Sequence, residues 1–527
     1  MMTRMIYGNL EDPIQGPETN YPHIAEPGGM DAVQMHYNAL ESLISLKEQV
    51  LPPPEQCFGD GVVIVGGGKF SEGIVIACRM LRKTGSTLPI QVWHRGPDQE
   101  PLPLALLKQI PGVEVINSLV HSSLHNPSRI LRGWEQKLYA LVHCGFERVL
   151  YIDADAYFVR DPEPLLNQLH NAPFVFWSDF ESMYHNVKWQ NVWPETGGSA
   201  GERVPGIQGG QLAIHRKKLW KTLLITHWMN QHSDFYYRHM FGDQDTYRVV
   251  LAAQNDRSMW HNIGPAPWIS TAFVCGIERD KPLVVHRCQG KLYRHEHIPE
   301  GKQSYSAPKW NLPREQEVFG MFAELLSDIK DSEKTFELIY NKKIWGGNSG
   351  PGSNVSTEAR PYVDLINTLI AWSSDGNRPR SVVDLGCGDG SVGMALENVA
   401  YVGVDCTKTN ITKLQELYPR KIWLHMDFFR DRENLPAGDW ALCKDVLHHW
   451  PDRMVVEFLD WAQQTKKWKR LILTQDSHQI VGGPDTYLGG YRALTHTMHP
   501  LSKYRLKHIV SYLHKSVIWM DLEGGTQ

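Results

Sequence analysis

With 527 residues the chain is too long for one ordinary hydrophobic core, so two domains of catalytic size are expected. Its apolar fraction of 42% and charged fraction of 21% are those of a globular protein, and a formal net charge of −4 without a dense Lys/Arg block argues against nucleic acid as a partner. The eight cysteines form no C-x-x-C pair, residues 1–30 contain no apolar signal segment, and no run approaches the length of a membrane span. We therefore expect a cytoplasmic protein with reduced thiols and no membrane insertion.

The first half of the chain alternates between helical spacing and short apolar runs. Residues 31–51 have helical spacing, and LPPPEQ then interrupts the pattern. The apolar runs that follow, up to about residue 300, are GVVIV at 61–65, IQVWH at 90–94, VEVI at 113–116, RVLYID at 148–153 and FVFW at 174–177. This alternation predicts an α/β domain with a largely parallel sheet.

The second half repeats this organisation after a polar link at 298–312 and an amphipathic helix, EQEVFGMFAELLSDIK. Its predicted strands are 381–386, 400–405, 422–427, 440–445 and 470–475, with RLKHIVSYL and SVIWMDL as an antiparallel edge pair. The predicted domains are an extension with a helix at 1–55, an α/β domain at 56–300, a linker and helix at 301–340, and a second α/β domain at 341–527.

Two acids end the fourth predicted strand, in the segment YIDADAYFVRDP. Asp153 and Asp155 are separated by one residue, so both carboxylates can reach one divalent ion where the strand ends. Oxygen ligands favour Mn²⁺ or Mg²⁺ over zinc, and such an ion can bridge the diphosphate of a nucleotide-sugar. A D-x-D motif alone is weak evidence because surface turns often contain one.

The segments around these acids appear in an ordered set that is more specific than any one motif. They are VVIVGGGKFSEGIVIACRMLRKTGSTLPIQVW, WEQKLYAL, FERVLYIDAD, FWSD, GIQGGQLAIHRKKL, GDQDTYR and VVHRCQGK. Over roughly 60–295 this set resembles the metal-dependent GT-A glycosyltransferases, most of all the fungal-type α-mannosyltransferases and more distantly the glycogenin-like family. GGGKFSEG lacks the G-x-G-x-x-G spacing of a dinucleotide site.

The resemblance implies a role for each matching residue. Asp153 and Asp155 hold the metal, and His286 completes the ligand set. The diphosphate meets Lys291, although the spacing from His286 to Lys291 differs from the glycogenin pattern. The donor sugar and the reacting centre are expected to be surrounded by Asp179, Gln211, Asp243, Gln244 and Asp245. Families of this type retain the anomeric configuration, with Gln244 or a nearby acid stabilising the oxocarbenium-like state.

Two of these assignments compete with structural interpretations. A single histidine after an apolar run, such as His286, is commonly a hydrogen-bonded structural residue. The Trp177 side chain can belong to the core as readily as to a sugar platform.

A glycine-rich turn in VVDLGCGDG is the signal of the second half. Asp384 precedes a turn containing Gly386, Gly388 and Gly390, and a helical segment follows. The next two predicted strands end in acids, Asp405 and Asp427, which suit ribose hydroxyls and the adenine amino group. Either acid taken singly could be only a strand cap.

This series, followed by CKDVLHHW, resembles the class I S-adenosylmethionine (SAM)-dependent methyltransferases over about 340–527. The resemblance implies SAM as cofactor, with Asp445 at the end of the fourth strand. WGGNSGPGSN and LGGYRALTHTMHPL resemble segments of methyltransferases that act on sugar hydroxyls. A histidine near the acceptor oxygen, His448 or His449, is a candidate base, or the pair only shapes the pocket, and Asp445 and Arg492 are candidates for orienting the acceptor.

The fold class predicted is α/β, an N-terminal GT-A domain followed by a class I methyltransferase domain. The function predicted is a bifunctional glycan-modifying enzyme that transfers mannose or galactose from a GDP- or UDP-sugar to a glycan acceptor and O-methylates a sugar. One alternative gives the methyltransferase a non-sugar substrate. Another makes one domain an inactive binding scaffold, which the intact D-x-D motif and glycine loop oppose.

Overall fold

The chain is described by a computed structural model that divides it into two compact units between Lys291 and Leu292, and each unit is described by itself. The described residues are 30–47, 53–123, 133–179, 204–240, 242–266, 268–270, 273–278, 281–288, 290–301, 312–346, 349–356, 358–373, 379–477 and 485–523. Most of the predicted linker, at 302–311, lies outside these residues, as do 1–29 and 48–52 of the predicted extension.

The N-terminal unit has eleven described strands. They are β1 (Asp60–Val65), β2 (Ile90–His94), β3 (Val113–Asn117), β4 (Arg148–Asp153), β5 (Ala156–Phe158), β6 (Phe174–Ser178), β7 (Ile207–His215), β8 (Trp260–Pro265), β9 (Trp268–Ser270), β10 (Phe273–Glu278) and β11 (Lys281–His286). Its described α-helices are α1 (Met30–Ser45), α2 (Ser71–Lys83), α3 (Leu104–Leu107), α4 (Ser118–Ser123), α5 (Glu135–His143), α6 (Glu163–Asn167), α7 (Trp220–Gln231), α8 (Ser233–Tyr236) and α9 (Gly242–Gln254).

Seven of these strands form the main sheet of the N-terminal unit, in the order β3-β2-β1-β4-β7-β6-β8. The four strands from β3 to β4 are parallel, whereas β7 runs antiparallel to both of its neighbours. The middle of β1 and β4 is buried, as expected for parallel strands rich in Val, Ile and Leu that are covered on both faces. A smaller antiparallel sheet, β5-β11-β10-β9, begins directly after β4.

The C-terminal unit has a second seven-stranded sheet, in the order β14-β13-β12-β15-β16-β18-β17. Its strands are β12 (Ser381–Leu385), β13 (Ala400–Asp405), β14 (Ile422–His425), β15 (Gly438–Lys444), β16 (Trp468–Asp476), β17 (Lys507–Tyr512) and β18 (Lys515–Asp521). Its described α-helices are α10 (Glu315–Leu325), α11 (Ser332–Asn341), α12 (Arg360–Trp372), α13 (Ser391–Met394), α14 (Lys408–Leu417) and α15 (Asp452–Thr465).

The first five strands of this sheet are parallel, and β18 and β17 form an antiparallel edge. The predicted α/β class with two Rossmann-like, largely parallel sheets is therefore confirmed. The helix predicted at 31–51 is observed from Met30 to Ser45, and the one predicted from Glu315 to Lys330 ends at Leu325. Among the described residues, no helix combines the length and the apolar character that crossing a bilayer requires.

Candidate active sites

The N-terminal candidate site forms where β4 ends and the chain turns back into β5. Asp153 is the last residue of β4, and Asp155 lies in the turn. Because β5 pairs with β11 with Ala156 opposite His286, the last residue of β11 lies beside these acids. His286 Nε2 is 3.2 Å from Asp155 Oδ1 and 3.6 Å from Asp153 Oδ2. The structure thus brings together two acids separated by one residue and a histidine more than a hundred residues away.

These three side chains meet the geometric requirements of a metal site. One potential ligand atom from each of Asp153, Asp155 and His286 lies within 4.8 Å of the other two. Two carboxylates and one imidazole suit a hard or borderline divalent cation such as Mn²⁺ or Mg²⁺. The neighbouring strand leaves room for this arrangement through Gly210, where a Cβ atom would lie 2.4 Å from His286 Cε1 and 3.1 Å from Asp153 Oδ2. The donor set and the space around it fit a bound cation.

Two lysines neutralise the acids of this cluster. The Nζ of Lys291 contacts the Asp155 carboxylate, and that of Lys137 lies 2.9 Å from Asp153 Oδ1 and 3.5 Å from Asp243 Oδ2. Burial by itself disfavours an ionised carboxyl, but Lys291 and His286 hold the pKa of Asp155 well below its usual value. Burial, and next the nearby Asp153 charge, raise the pKa of Asp243 to about 6 even though Lys137 opposes this. The site therefore holds a dense set of buried charges.

The residues predicted to surround the donor sugar differ in whether their polar side-chain atoms already have partners within the protein. Gln211, in β7, is 1% exposed, and neither polar atom of its side chain has a hydrogen-bond partner. Gln244 Oε1 accepts a hydrogen bond of 3.4 Å from the backbone N–H of Gly209, and this places the start of α9 against β7. In contrast, Asp245 forms a buried ion pair with Arg248, 2.9 Å between Oδ1 and Nη1. Buried polar atoms without partners are uncommon, so Gln211 is the member of the set that most suits contact with a ligand.

Two other predicted positions of this unit are also described. Asp179 directly follows β6, and its backbone N–H donates to the Gly206 carbonyl at 2.9 Å. Trp177 is 1% exposed, so its side chain belongs to the core, which is one of the two alternatives that the sequence allowed. The sequence interpretation missed Lys137, although this residue lies in the quoted segment WEQKLYAL. Its signal was its place in the first turn of a helix whose neighbouring residues are buried, where a lysine needs an acidic partner.

The C-terminal unit contains a cavity of about 400 Å³ beside the carboxyl ends of its parallel strands. This is the edge at which open α/β sheets bind ligands. The predicted cofactor residues that line the cavity are Gly386, Gly388, Asp405, Asp427 and Asp445, and both His448 and His449 line it as well. Within the described chain, Asp384, Gly390 and Arg492 are not part of this lining.

The glycine turn is built for close approach of the backbone. Gly386 has φ +80° and Gly388 has φ +56°, the left-handed region that glycine adopts at least cost. A Cβ at Gly386 would lie 2.5 Å from Val446 Cγ2, so a side chain there would collide with the segment that follows β15. The tight turn leaves the Gly388 N–H free to donate to Asp405 Oδ2 at 2.8 Å.

The three acids of the cofactor motif have different surroundings. Asp405 also accepts from the backbone N–H and the hydroxyl of Thr407 at 2.8 and 2.6 Å, so it is held rigidly at the cavity wall. Asp427 Oδ2 is buried without a hydrogen-bond partner, with Arg430 Nε 3.7 Å away, so it can accept a hydrogen bond from a ligand donor such as the adenine amino group. Asp384 instead accepts from the Tyr401 hydroxyl at 2.7 Å, and burial raises the pKa of its carboxyl to about 6. The lining acids and the glycine turn fit SAM.

The lining of the cavity also includes a network of charged and aromatic side chains. Asp445 accepts from Lys444 at 2.5 Å and from Lys515 at 2.9 Å, and these lysines hold the pKa of the buried Asp445 carboxyl well below its ordinary value. Tyr491 donates to Asp476 Oδ2 at 2.6 Å. Sequence reasoning missed Lys515, Asp476 and Tyr491 because β16, β18 and the segment before β17 meet only in the folded sheet.

Every ring nitrogen of the histidine pair has a hydrogen-bond partner. His449 Nδ1 lies 2.6 Å from the Gly490 carbonyl, His448 Nε2 lies 3.0 Å from His449 Nε2, and the Asp476 N–H donates to His448 Nδ1 at 3.4 Å. Burial lowers the pKa of His449 to about 4 and that of His448 well below its usual value. This geometry favours the pocket-shaping alternative for the pair over the role of base. Arg492 is 3% exposed in side chain and forms ion pairs with Asp452 and Asp485.

Sequence comparisons bear on the N-terminal unit. A family described as "Mannosyltransferase putative" matches residues 59–191. Alpha-1,2-mannosyltransferase MNN24 of Candida albicans is 25% identical over 250 residues, 39% of this chain and 34% of that protein. Alpha-1,2-mannosyltransferase MNN2 of Saccharomyces cerevisiae is 30% identical over 132 residues, 23% of this chain and 21% of that protein. The chain thus spans about a third or less of the length of these curated relatives.

Solved structures give partial matches to this chain. The galactosyltransferase LgtC, in complex with donor and acceptor sugar analogues, matches with a TM-score of 0.27 and 15% identity over 36% of this chain and 69% of that one. Human N-acetylserotonin methyltransferase in complex with SAM matches with a TM-score of 0.27 and 14% identity over 41% of this chain and 63% of that one. By sequence, the N-terminal unit therefore contains a segment that matches a mannosyltransferase family and is similar to fungal α-1,2-mannosyltransferases, which are enzymes.

Proposed function

We propose that the N-terminal unit transfers a hexose, mannose or galactose, from a GDP- or UDP-sugar to a glycan acceptor with retention of configuration. The observation that carries this proposal is the convergence of Asp153, Asp155 and His286 in a unit with a mannosyltransferase-family domain. Asp153 and Asp155 lie inside the matched region, and His286 reaches them through the pairing of β5 with β11.

In this proposal Asp153, Asp155 and His286 hold Mn²⁺ or Mg²⁺, which when bound supplies positive charge to the diphosphate of the donor. Lys291 carries a second positive charge beside Asp155, so it can contact the departing diphosphate from the protein side. Such charges stabilise the leaving group most as the glycosidic bond breaks, because negative charge then accumulates on the phosphate.

The donor sugar would contact the group formed by β7 and the start of α9. Gln211 has two buried polar atoms without protein partners, which a sugar hydroxyl can satisfy. Gln244 lies beside Gly209 and is our candidate for stabilising the positively charged sugar ring, with Asp243 held near it by Lys137. Asp245 has a poorer claim to direct contact because its carboxylate is buried against Arg248.

The test uses the full chain with GDP-mannose and UDP-galactose in the presence of Mn²⁺, with release of the nucleotide as the measured product. We expect turnover of one donor and loss of at least a hundredfold in Asp155→Asn. Asp98→Asn, which removes an exposed acid outside the site, is the matched control. Undiminished turnover in Asp155→Asn would overturn the metal assignment, and absence of turnover with any nucleotide-sugar would overturn the proposed activity.

We also propose that the C-terminal unit is a SAM-dependent methyltransferase that O-methylates a sugar hydroxyl. This proposal rests on the glycine turn, on Asp405 and on the Asp427 oxygen that lacks a hydrogen-bond partner, all of which line the 400 Å³ cavity. SAM supplies an electrophilic methyl group when bound. The hydroxyl of the acceptor would be oriented by the charged network in the cavity lining, in which Asp445, Lys515 and Asp476 provide hydrogen-bonding groups.

Calorimetric titration of the full chain with SAM tests the cofactor, and incubation with methyl-labelled SAM and a panel of glycans tests the acceptor. We expect micromolar-range binding and label in a glycan. A chain that does not bind SAM would favour a scaffold role for this unit. Label that appears only in protein or in other small molecules would reject the sugar acceptor while leaving the methyltransferase activity in place.

A further inference from the structure

Trp134 is an exposed aromatic residue immediately before α5. It is 41% exposed, whereas the two residues after it, Glu135 and Gln136, are buried. Single exposed aromatic side chains are common on protein surfaces, so exposure alone indicates nothing about function. The surroundings of Trp134 are what distinguish it.

One part of the indole rests on the backbone that leads into α9. A Cβ atom at Gly242 would lie 2.7 Å from Trp134 Cε3 and 2.9 Å from Cζ3, so only a glycine allows the ring to lie there. Gly242 also has φ +65°, which an L side chain would adopt with strain. The next residue is Asp243, so contact with this glycine fixes the indole beside the acid cluster.

Tyr237 forms a second aromatic surface next to Trp134. The two ring centroids are 6.3 Å apart and their planes are inclined by 48°. The Tyr237 hydroxyl donates to Asn230 Oδ1 at 2.5 Å, and this bond holds the ring from the side of the core. The two aromatic rings are thus neighbours, and each is fixed by a separate contact.

This aromatic pair adjoins the charged residues of the proposed transfer site. Lys137 lies three residues after Trp134, and its Nζ contacts both Asp153 and Asp243. An apolar ring next to carboxylates and an ammonium group matches the chemistry of a pyranose, which has an apolar C–H face and a rim of hydroxyls. The donor sugar has its own polar group around Gln211, which leaves the exposed Trp134 and the half-buried Tyr237 for a second sugar.

We propose that Trp134, with Tyr237 as a side wall, is the platform on which the terminal pyranose of the acceptor glycan stacks. Trp134 is then a positioning residue, since it fixes the ring whose hydroxyl attacks and takes no part in the bond changes. The inference rests on the proposed glycosyl transfer for its biological meaning, but sugar binding by the platform can be measured without any donor.

The first experiment measures saturation-transfer NMR signals of methyl α-D-mannopyranoside and methyl β-D-galactopyranoside with the full chain. We expect one glycoside to bind, with its ring C–H protons receiving the most saturation, and Trp134→Ala to weaken binding by roughly tenfold. Trp134→Phe should recover part of this loss. Phe58→Ala, which removes a 69% exposed aromatic ring of the same unit, is the control and should bind as the wild type does.

The second experiment separates this inference from the proposed function. In transfer assays at saturating nucleotide-sugar, KM for the acceptor glycoside should rise by roughly tenfold in Trp134→Ala, and kcat should change by much less than KM. A thermal unfolding midpoint equal to that of the wild type shows that the variant is folded. If donor turnover is present but glycoside binding is absent or indifferent to Trp134, the platform is wrong and the transferase stands. If Trp134-dependent binding is present without donor turnover, the transferase is wrong and the sugar site stands.

Discussion

His448 Nε2 lies 3.0 Å from His449 Nε2 in the C-terminal unit, and one tautomer of each ring satisfies all their contacts. The Gly490 carbonyl can only accept, so His449 must donate to it from Nδ1. His449 Nε2 is then an acceptor and receives the proton of His448 Nε2, which leaves His448 Nδ1 to accept from the Asp476 N–H. Both rings are therefore neutral, and protonation of either one breaks a buried hydrogen bond.

This arrangement predicts a loss of stability in acid that depends on His449. Burial lowers the pKa of His449 from 6.5 to about 4 in the folded chain, so the unfolded chain binds the proton more tightly. The contribution to stability is full above pH 6.5 and is lost as the pH falls towards 4. Between pH 7 and pH 5, the free energy of unfolding of the wild type should fall by about 2 kcal/mol more than that of His449→Gln, as measured by urea unfolding. The exposed His508→Gln is the control. Equal losses in wild type and His449→Gln would contradict the neutral pair.

Substitution of Gly210 should damage the proposed metal site without touching a ligand. A Cβ atom at this position would lie 2.5 Å from His286 Nδ1, so Gly210→Ala has to displace the imidazole. We expect Mn²⁺ affinity to fall by at least tenfold in isothermal titration. In the control, Gly145→Ala, the nearest atom to the new Cβ is Gln91 Nε2 at 3.5 Å, which is ordinary contact. If both variants bind Mn²⁺ as the wild type does, His286 is not a ligand.

Substitution of Lys137 should strengthen metal binding, whereas Gly210→Ala should weaken it. Its ammonium group lies 2.9 Å from Asp153 Oδ1 and competes with a cation for that carboxylate. We expect Lys137→Met to bind Mn²⁺ about tenfold more tightly in the absence of nucleotide, as measured by the electron paramagnetic resonance signal of free Mn²⁺. Exposed Lys108→Met serves as the control. Weaker Mn²⁺ binding by Lys137→Met would contradict this prediction, because it would show that Lys137 helps the site to bind the cation and does not compete with the cation for Asp153.

Two acids that look equivalent in the sequence should differ in their effect on SAM binding. Asp405 lines the cavity, and its carboxylate accepts hydrogen bonds from Gly388 and Thr407. Asp384 does not belong to the lining, and its carboxylate accepts a hydrogen bond from the Tyr401 hydroxyl. We expect Asp405→Asn to weaken SAM binding by at least tenfold, because it removes a charge from the cavity wall and disturbs the glycine turn. Asp384→Asn should stay within about threefold of the wild type, since an amide oxygen can still accept from Tyr401. Calorimetry on both variants decides the matter, and equal losses would refute the distinction.

The amino-acid sequence by itself determined the two α/β units, because strand and helix formation depend on local patterns of apolar residues. The apolar runs at 61–65, 90–94 and 400–405 lie in β1, β2 and β13. The candidate metal acids were also readable, because Asp153 and Asp155 are neighbours at the end of one strand. The helix boundaries were less accurate, since packing decides where a helix with a continuing polar pattern ends.

Only the tertiary structure decided which distant side chains share a site. Pairing of β5 with β11 carries His286 to Asp155, and pairing of β16 with β18 carries Lys515 to Asp445. The folded structure also distinguishes two residues predicted to contact the donor. Asp245 is paired with Arg248, whereas the buried polar atoms of Gln211 have no protein partner. Local periodicity does not predict these relationships, because they depend on strand order and register. Strand order and register are set by pairing between segments that are far apart in the chain.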